Sequence, residues 1–276
     1  MTKDSVGNST VFITGGTSGL GLALVKTFLE RGFTVVATGR RPITLSGFER
    51  AFHLFLVDLS DLEQTASVTN KICDKFDFNI VINNAGILSP KSCTKTNDGF
   101  EYTYQVNFLA HLLINEIILM RHNKSRTLKI SAVTSPVYKI AKHDLKFAGD
   151  ETCYKPLKAY SDSKLFLALM CKHLADKYSD TNISFLGFIP GVFASSIYRM
   201  QSPLFRNLYR IAAPFMRKPS KVADVLADIL TDLSITSGIL YNVKKEKKDI
   251  PLIEPSVLGA FWNESYAKIE RFLFND

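Results

Sequence analysis

The chain has few cysteines, and they are scattered. Cys73, Cys93, Cys153 and Cys171 form no C-x-x-C pair and no metal-like spacing with the five histidines. That argues against a disulfide scaffold or a metal site and predicts free thiols in a reducing compartment. No stretch approaches the roughly 18 consecutive apolar residues of a membrane span, and the opening MTKDSVGNS lacks the apolar core of a secretory signal. A soluble, cytoplasmic protein is expected. The net charge of +8 is mild for 276 residues and spread out, apart from RKPSK (217–221) and KKEKK (244–248). No basic stripe carries interleaved aromatics, so nucleic acid is not an expected partner. The two basic clusters are either solvated lysines or a peripheral contact with an acidic membrane surface. No internal repeat or low-complexity linker interrupts the chain, which predicts one domain over 9–276 behind a flexible polar leader, 1–8.

What is present is alternation. With 46% hydrophobic and 22% charged residues the chain can bury a sizeable core. Seven short apolar runs read as strands: STVFITGG (9–16), FTVVATGR (33–40), AFHLFLVDLSD (51–61), NIVINNAG (79–86), LKISAVTS (128–135), NISFLGFIPG (182–191) and GILYNV (238–243). Between them lie polar or helical stretches, such as LGLALVKTFLERG (20–32), with Leu20, Leu24 and Phe28 at helical spacing and a closing glycine. Strands that are continuously apolar and separated by helices predict an α/β protein with a parallel sheet covered on both faces.

TGGTSGLG, between the first strand and the first helix, spaces Gly15, Gly19 and Gly21 as G-x-x-x-G-x-G. Glycines here let the turn adopt positive φ and let backbone amides approach a pyrophosphate at a helix N-terminus. Such a stretch can also be only a turn; its place on the first strand of an alternating chain favours a dinucleotide. At the end of the second strand, where an acidic residue would bind the ribose hydroxyls of NAD, stand Gly39, Arg40 and Arg41. Two arginines can be ordinary surface, but guanidinium forks suit a 2′-phosphate, so NADP(H) is the expected cofactor.

Taken in order, TGGTSGLG, Asp58 in VDLSD, NNAG (83–86), Asn107 in YQVNFLAH, Ser135 in AVTS, YSDSK (160–164) and PGVFAS (190–195) resemble the short-chain dehydrogenase/reductase family. The long Ser135-to-Tyr160 interval, the segment 202–220 and SGILYN (237–242) are similar to its retinol dehydrogenase and WW-domain oxidoreductase branch. Ile189, where that branch often has histidine, departs from it. The resemblance implies a doubly wound, seven-stranded Rossmann fold and an NADP-dependent carbonyl or alcohol oxidoreductase.

Four Y-x-x-x-K pairs occur, at Tyr138/Lys142, Tyr154/Lys158, Tyr160/Lys164 and Tyr241/Lys245. Pro156 interrupts the second, the first follows Ser135 too closely for a separate helix, and the last runs into a charged cluster. Tyr160/Lys164 opens a helix long enough to hold both groups on one face. By family analogy Tyr160 donates the proton to the substrate oxygen, and a free phenol near pKa ~10 needs a neighbouring ammonium, Lys164, to be effective. Ser135 would hydrogen-bond the same oxygen, the adjacent Thr134 pointing to the other strand face. Asn107 would hold a water linked to Lys164, and Asn83 is read as tying strands together. The resemblance further assigns cofactor contacts to Gly15, Thr17, Ser18, Gly19, Leu20, Gly21, Arg40, Arg41, Asp58, Leu59, Asn84, Ala85, Gly86, Tyr160, Lys164, Pro190, Gly191, Val192 and Ser195, and no metal. A lid over about 192–220, rich in aromatics, implies a bulky apolar substrate: a retinoid, steroid, fatty aldehyde or aromatic natural product. A cofactor-binding sensor without turnover and a C=C reductase are the alternatives. LFLALMC (165–171) could pack against a second copy in a homodimer, or the 24 residues between Ser135 and Tyr160 could cover that face.

Overall fold

The apolar runs pair as strands in the order β3-β2-β1-β4-β5-β6-β7-β8. In chain order these are β1 (Thr10–Ile13), β2 (Thr34–Gly39), β3 (Phe52–Leu56), β4 (Ile80–Asn83), β5 (Leu128–Val133), β6 (Ile183–Ile189), β7 (Ile239–Asn242) and β8 (Lys247–Lys248). The computed structural model describes residues 9–146, 154–191 and 217–274. The leader 1–8, Val192, Ser195 and nearly all of the lid expected over 192–220 lie outside the described residues.

The first seven strands are parallel, as the continuously apolar segments predict. The eighth is an addition to the expected set and runs antiparallel to β7. A tight reversal brings it back. The Asn242 side chain accepts hydrogen bonds from the amides of Lys244 and Glu246, and Lys245 takes a positive φ of 62°. Its two exposed lysines give it no apolar mark in the sequence. At the other edge β3 is half exposed, with Leu56 open to solvent, because no strand lies beyond it.

Among the described residues six main helices cover the sheet: α1 (Gly19–Glu30), α2 (Leu62–Cys73), α3 (Ala110–Arg121), α4 (Pro156–Lys177), α5 (Pro219–Thr231) and α6 (Pro255–Leu273). On one face α1 and α5 bury Leu24, Phe28, Val222 and Leu226 against Val11, Ile13 and Val35. On the other, α2, α3, α4 and α6 share a core with Phe12, Val81 and Ile130. Each fully buried side chain of this size contributes roughly 1.5–3 kcal/mol. Gly32, with φ of 84°, ends the first helix as its position suggested. Pro156 does not break α4 but starts it at the first helical position, where a missing amide costs nothing, and this leaves Tyr154 outside the helix that holds Lys158.

The run Leu165–Cys171 is buried within the chain itself. Helix α6 folds back over this side: Phe261 meets Phe166 at 4.6 Å and Phe108 at 5.5 Å, and Trp262 stacks on His173 at 4.2 Å. Tyr266 adds a hydrogen bond from its hydroxyl to the buried Glu116 on α3, 2.7 Å. No helix among the described residues is long and apolar enough to cross a membrane.

Because the chain moves outward from β1 through β2 to β3, then returns to β4 on the other side, the connections leaving β1 and β4 diverge. Their carboxyl ends therefore open into a crevice, the place where a doubly wound sheet binds ligands.

Candidate active site

A cleft of about 750 Å³ occupies that crevice. Its floor at one end is the glycine turn. Gly15 has φ of 69°, and a Cβ on Gly21 would lie 2.1 Å from the Gly15 carbonyl oxygen, so neither position admits a side chain without moving backbone. Ser18, at the N-cap of α1, makes no side-chain capping bond, and no acidic residue sits in the first turn. The orphan amides and positive end of the helix are thus left facing the cleft. Arg40 and Arg41 stand at its mouth beside Pro42 and Ile43. The Arg40 side chain is 62% exposed, its only carboxylate neighbour among the described ion pairs being Asp58 at 3.9 Å. Asp58 Oδ1 is already engaged by the amide and hydroxyl of Ser60.

The opposite end is built by β5 and α4. Thr134 donates its hydroxyl to the Phe188 carbonyl at 2.9 Å, and both it and Ser135, just beyond the end of β5, line the cleft. Tyr160 and Lys164, one helical turn apart on α4, line the same wall. Lys164 Nζ donates to the Val133 carbonyl at 3.0 Å and lies 5.8 Å from the centre of the Tyr160 ring. Burial pulls the Lys164 pKa down to about 8, so the ammonium persists at neutral pH but only just. A Cβ on Gly86 would sit 3.3 Å from both Lys164 Nζ and Asn107 Oδ1, which shows how closely the NNAG backbone passes this lysine.

Asn107 is fully buried and stands behind this wall. It lies in a π-helical turn, Gln105–Leu109, that leads into α3. Such turns recur at functional sites because one extra residue re-aims the backbone. The Asn107 side chain accepts from the Ile87 amide at 2.8 Å and donates to the Ile87 carbonyl and to Ser163 Oγ, both at 3.0 Å. Asn83 ties β4 to a helix rather than to a strand: its amide donates to Asn115 on α3 at 2.9 Å. The reading of Asn83 in NNAG as a tie between strands is corrected by this bond, whose partner Asn115 stands on a helix.

The cleft thus gathers Gly15, Thr17, Ser18, Gly19, Leu20, Gly21, Arg40, Arg41, Asp58, Leu59, Asn84, Ala85, Gly86, Ser135, Tyr160, Lys164, Pro190 and Gly191. Sequence reasoning missed Val57, Ile87, Tyr102 and Val106, apolar or aromatic lining with no motif to mark it. It also missed Thr14, whose hydroxyl accepts from the amides of Asn84 and Ala85 at 2.9 and 3.0 Å and so joins the glycine turn to NNAG. Its position inside TGG was the available signal. Among the described residues no cluster of side chains could hold a metal ion. The donors present fit a dinucleotide: an uncapped helix N-terminus for a pyrophosphate, glycines whose missing Cβ atoms leave room for it, and a lysine at the far end.

A family model described as short chain dehydrogenase matches residues 9–145. Mouse retinol dehydrogenase 12 is 31% identical over 259 residues, spanning 87% of this chain and 79% of that protein. Among solved structures, a short chain dehydrogenase from Leptospira borgpetersenii with bound NAD+ superposes with a TM-score of 0.68 at 19% identity, over 87% of this chain and 93% of that one. A candidate short chain dehydrogenase from Escherichia coli CFT073, complexed with NADPH, gives 0.67 at 18%, over 88% and 100%. The chain therefore belongs to the short-chain dehydrogenase/reductase family, a family of oxidoreductases. Within the family it falls in the retinol dehydrogenase branch.

Proposed function

We propose that the protein transfers a hydride between NADP(H) and the carbonyl or alcohol group of a bulky apolar substrate. The observation that carries this reading is the meeting of Ser135, Tyr160 and Lys164 at one end of a cleft whose other end is an uncapped helix N-terminus. The bound cofactor supplies the hydride. The chain's own residues hold the substrate and handle the proton.

In the reducing direction the substrate oxygen gains negative charge, which Ser135 and Tyr160 stabilise by donating hydrogen bonds to it. Tyr160 then gives up its phenolic proton as general acid. The resulting phenolate is stabilised by the ammonium of Lys164, which the Val133 carbonyl anchors from behind. In the oxidising direction the same groups run backwards, Tyr160 accepting the alcohol proton. Asn107 clamps Ile87, and so the NNAG segment, at a fixed height against Lys164. A water on Asn107, in contact with Lys164, would return the proton from solvent.

The preference for NADP(H) rests on Arg40 and Arg41 at the cleft mouth, with no carboxylate at the end of β2 to accept the ribose hydroxyls. The apolar substrate class is supported by the relatives named retinol dehydrogenases and by the aromatic content of residues 192–220. The test is to titrate the protein with NADPH and NADH and then follow nicotinamide absorbance with retinoid, steroid and fatty carbonyls. Turnover with NADPH on at least one of them is expected. Tight NADPH binding with no carbonyl turnover would replace this reading with a sensor or a C=C reductase, and a preference for NADH would overturn the role given to the two arginines.

A further inference from the structure

Behind the cleft wall lies a buried polar chain, of which His111 and Ser163 have no part in the mechanism above. His111, on α3 one turn after Asn107, is fully buried. Its Nε2 lies 3.0 Å from Thr14 Oγ1, and its Nδ1 lies 2.9 Å from the Asn107 main-chain carbonyl. Counting donors fixes the direction of both bonds. Thr14 Oγ1 already accepts from two backbone amides, those of Asn84 and Ala85, which occupy its two lone pairs. Its single proton must therefore be given away. The Ile82 carbonyl is 3.5 Å off, whereas His111 Nε2 is at hydrogen-bond distance. Nε2 is then the acceptor, Nδ1 carries the ring proton, and that proton goes to the Asn107 carbonyl.

The chain continues into the catalytic helix. The Asn107 side chain donates to Ser163 Oγ at 3.0 Å, and Ser163 donates to the carbonyl of Tyr160 at 2.8 Å. Two sets of hydrogen bonds, joined through the covalent frame of Asn107, thus connect the dinucleotide turn at Thr14 through His111, Asn107 and Ser163 to the backbone of Tyr160.

We propose that His111, held as the neutral Nδ1–H tautomer by Thr14, is a positioning residue that fixes Asn107, and through it the Tyr160–Lys164 pair, relative to the cofactor turn. An imidazolium would aim a third donor at Thr14 Oγ1 and break the series at its first link; burial and the nearby Lys164 both hold the ring neutral, with a pKa of about 4. The kinetic part of this inference rests on the reductase reading; the tautomer does not.

The experiment combines both. Nitrogen-15 NMR of the wild-type imidazole reports its tautomer with no substrate present; an Nδ1–H signature is expected, and an Nε2–H signature would overturn the proposal. His111→Leu removes both bonds, while His111→Asn keeps a donor near the place of Nδ1. With activity expressed per NADPH-binding site, the leucine variant is expected to lose about 10- to 100-fold in kcat, the scale of a misplaced catalytic group, with a displaced basic limb in its pH profile. The asparagine variant should recover most of both. A kcat within about twofold of wild type, with the profile unmoved, would reduce His111 to a packing residue. If wild type itself turns over no carbonyl, the reductase reading fails separately. The proposal is then judged on the tautomer and on NADPH affinity, which the leucine variant should weaken and which unchanged binding would refute.

Discussion

Burial works against the charge on Lys164, and replacing the residue tests that directly. The residue is 3% exposed, and burial brings its pKa from 10.5 to about 8. That difference corresponds to about 3 kcal/mol of destabilisation at neutral pH. Lys164→Met keeps most of the volume and removes the charge, but it strips the Val133 carbonyl of its donor, which costs about 1–3 kcal/mol. The two nearly offset, so the variant should be as stable as wild type at pH 7 or up to about 2 kcal/mol more so, while losing activity. The pH dependence is sharper. Between pH 8 and 10.5 the unfolded lysine holds a proton that the folded one has released, so wild-type stability rises with pH relative to the variant. The slope is at most about 1.4 kcal/mol per pH unit, a gain of about 2 kcal/mol from pH 8 to 10. Urea unfolding of both proteins at pH 7, 8, 9 and 10 measures it. A variant less stable than wild type at pH 7, with a difference that does not change up to pH 10, would refute the reasoning.

Three further outcomes follow from the same geometry. Replacing Arg40 and Arg41 together by Asp and Ser should weaken NADPH far more than NADH, by about 10- to 100-fold given the worth of charge-assisted bonds; isothermal titration with the two cofactors checks it. Gly21→Ala sets a Cβ 2.1 Å from the Gly15 carbonyl oxygen and 2.6 Å from Asn84 Nδ2, so the turn must open; cofactor binding should be lost and the melting temperature lowered in the same preparation. Phe261→Ala removes the ring that stacks on Phe108 and packs tilted against Phe166, at a cost of about 3–5 kcal/mol, and should expose α6 to limited proteolysis before the sheet unfolds.

The parallel sheet was legible because strands buried on both faces must be continuously apolar, and Val11–Ile13, Val35–Ala37 and Ile80–Ile82 carry that mark. The glycine turn and the Tyr160–Lys164 pair were legible because each is a local constraint: a Cβ that cannot fit, or two groups one helical turn apart. What stayed hidden depends on contacts distant in sequence. Phe166 reads as an ordinary apolar helix residue until Phe261, 95 positions later, is placed on it. The edge strand β8 is two lysines that pair only because Asn242 folds the chain back. Asn83 looks like a sheet residue until α3 brings Asn115 to it. His111 did carry a signal, since it stands four residues after Asn107 on a helix, but only the approach of Thr14 shows which nitrogen bears the proton.

In the proposed reaction Tyr160 is the acid of a hydride-transfer site. Single-turnover stopped-flow with NADPH and a carbonyl substrate, comparing wild type with Tyr160→Phe, tests it most directly. Unchanged NADPH binding is expected, with hydride transfer about 10²- to 10⁴-fold slower, the usual contribution of a positioned general acid. A rate within tenfold of wild type, with NADPH still bound, would contradict it.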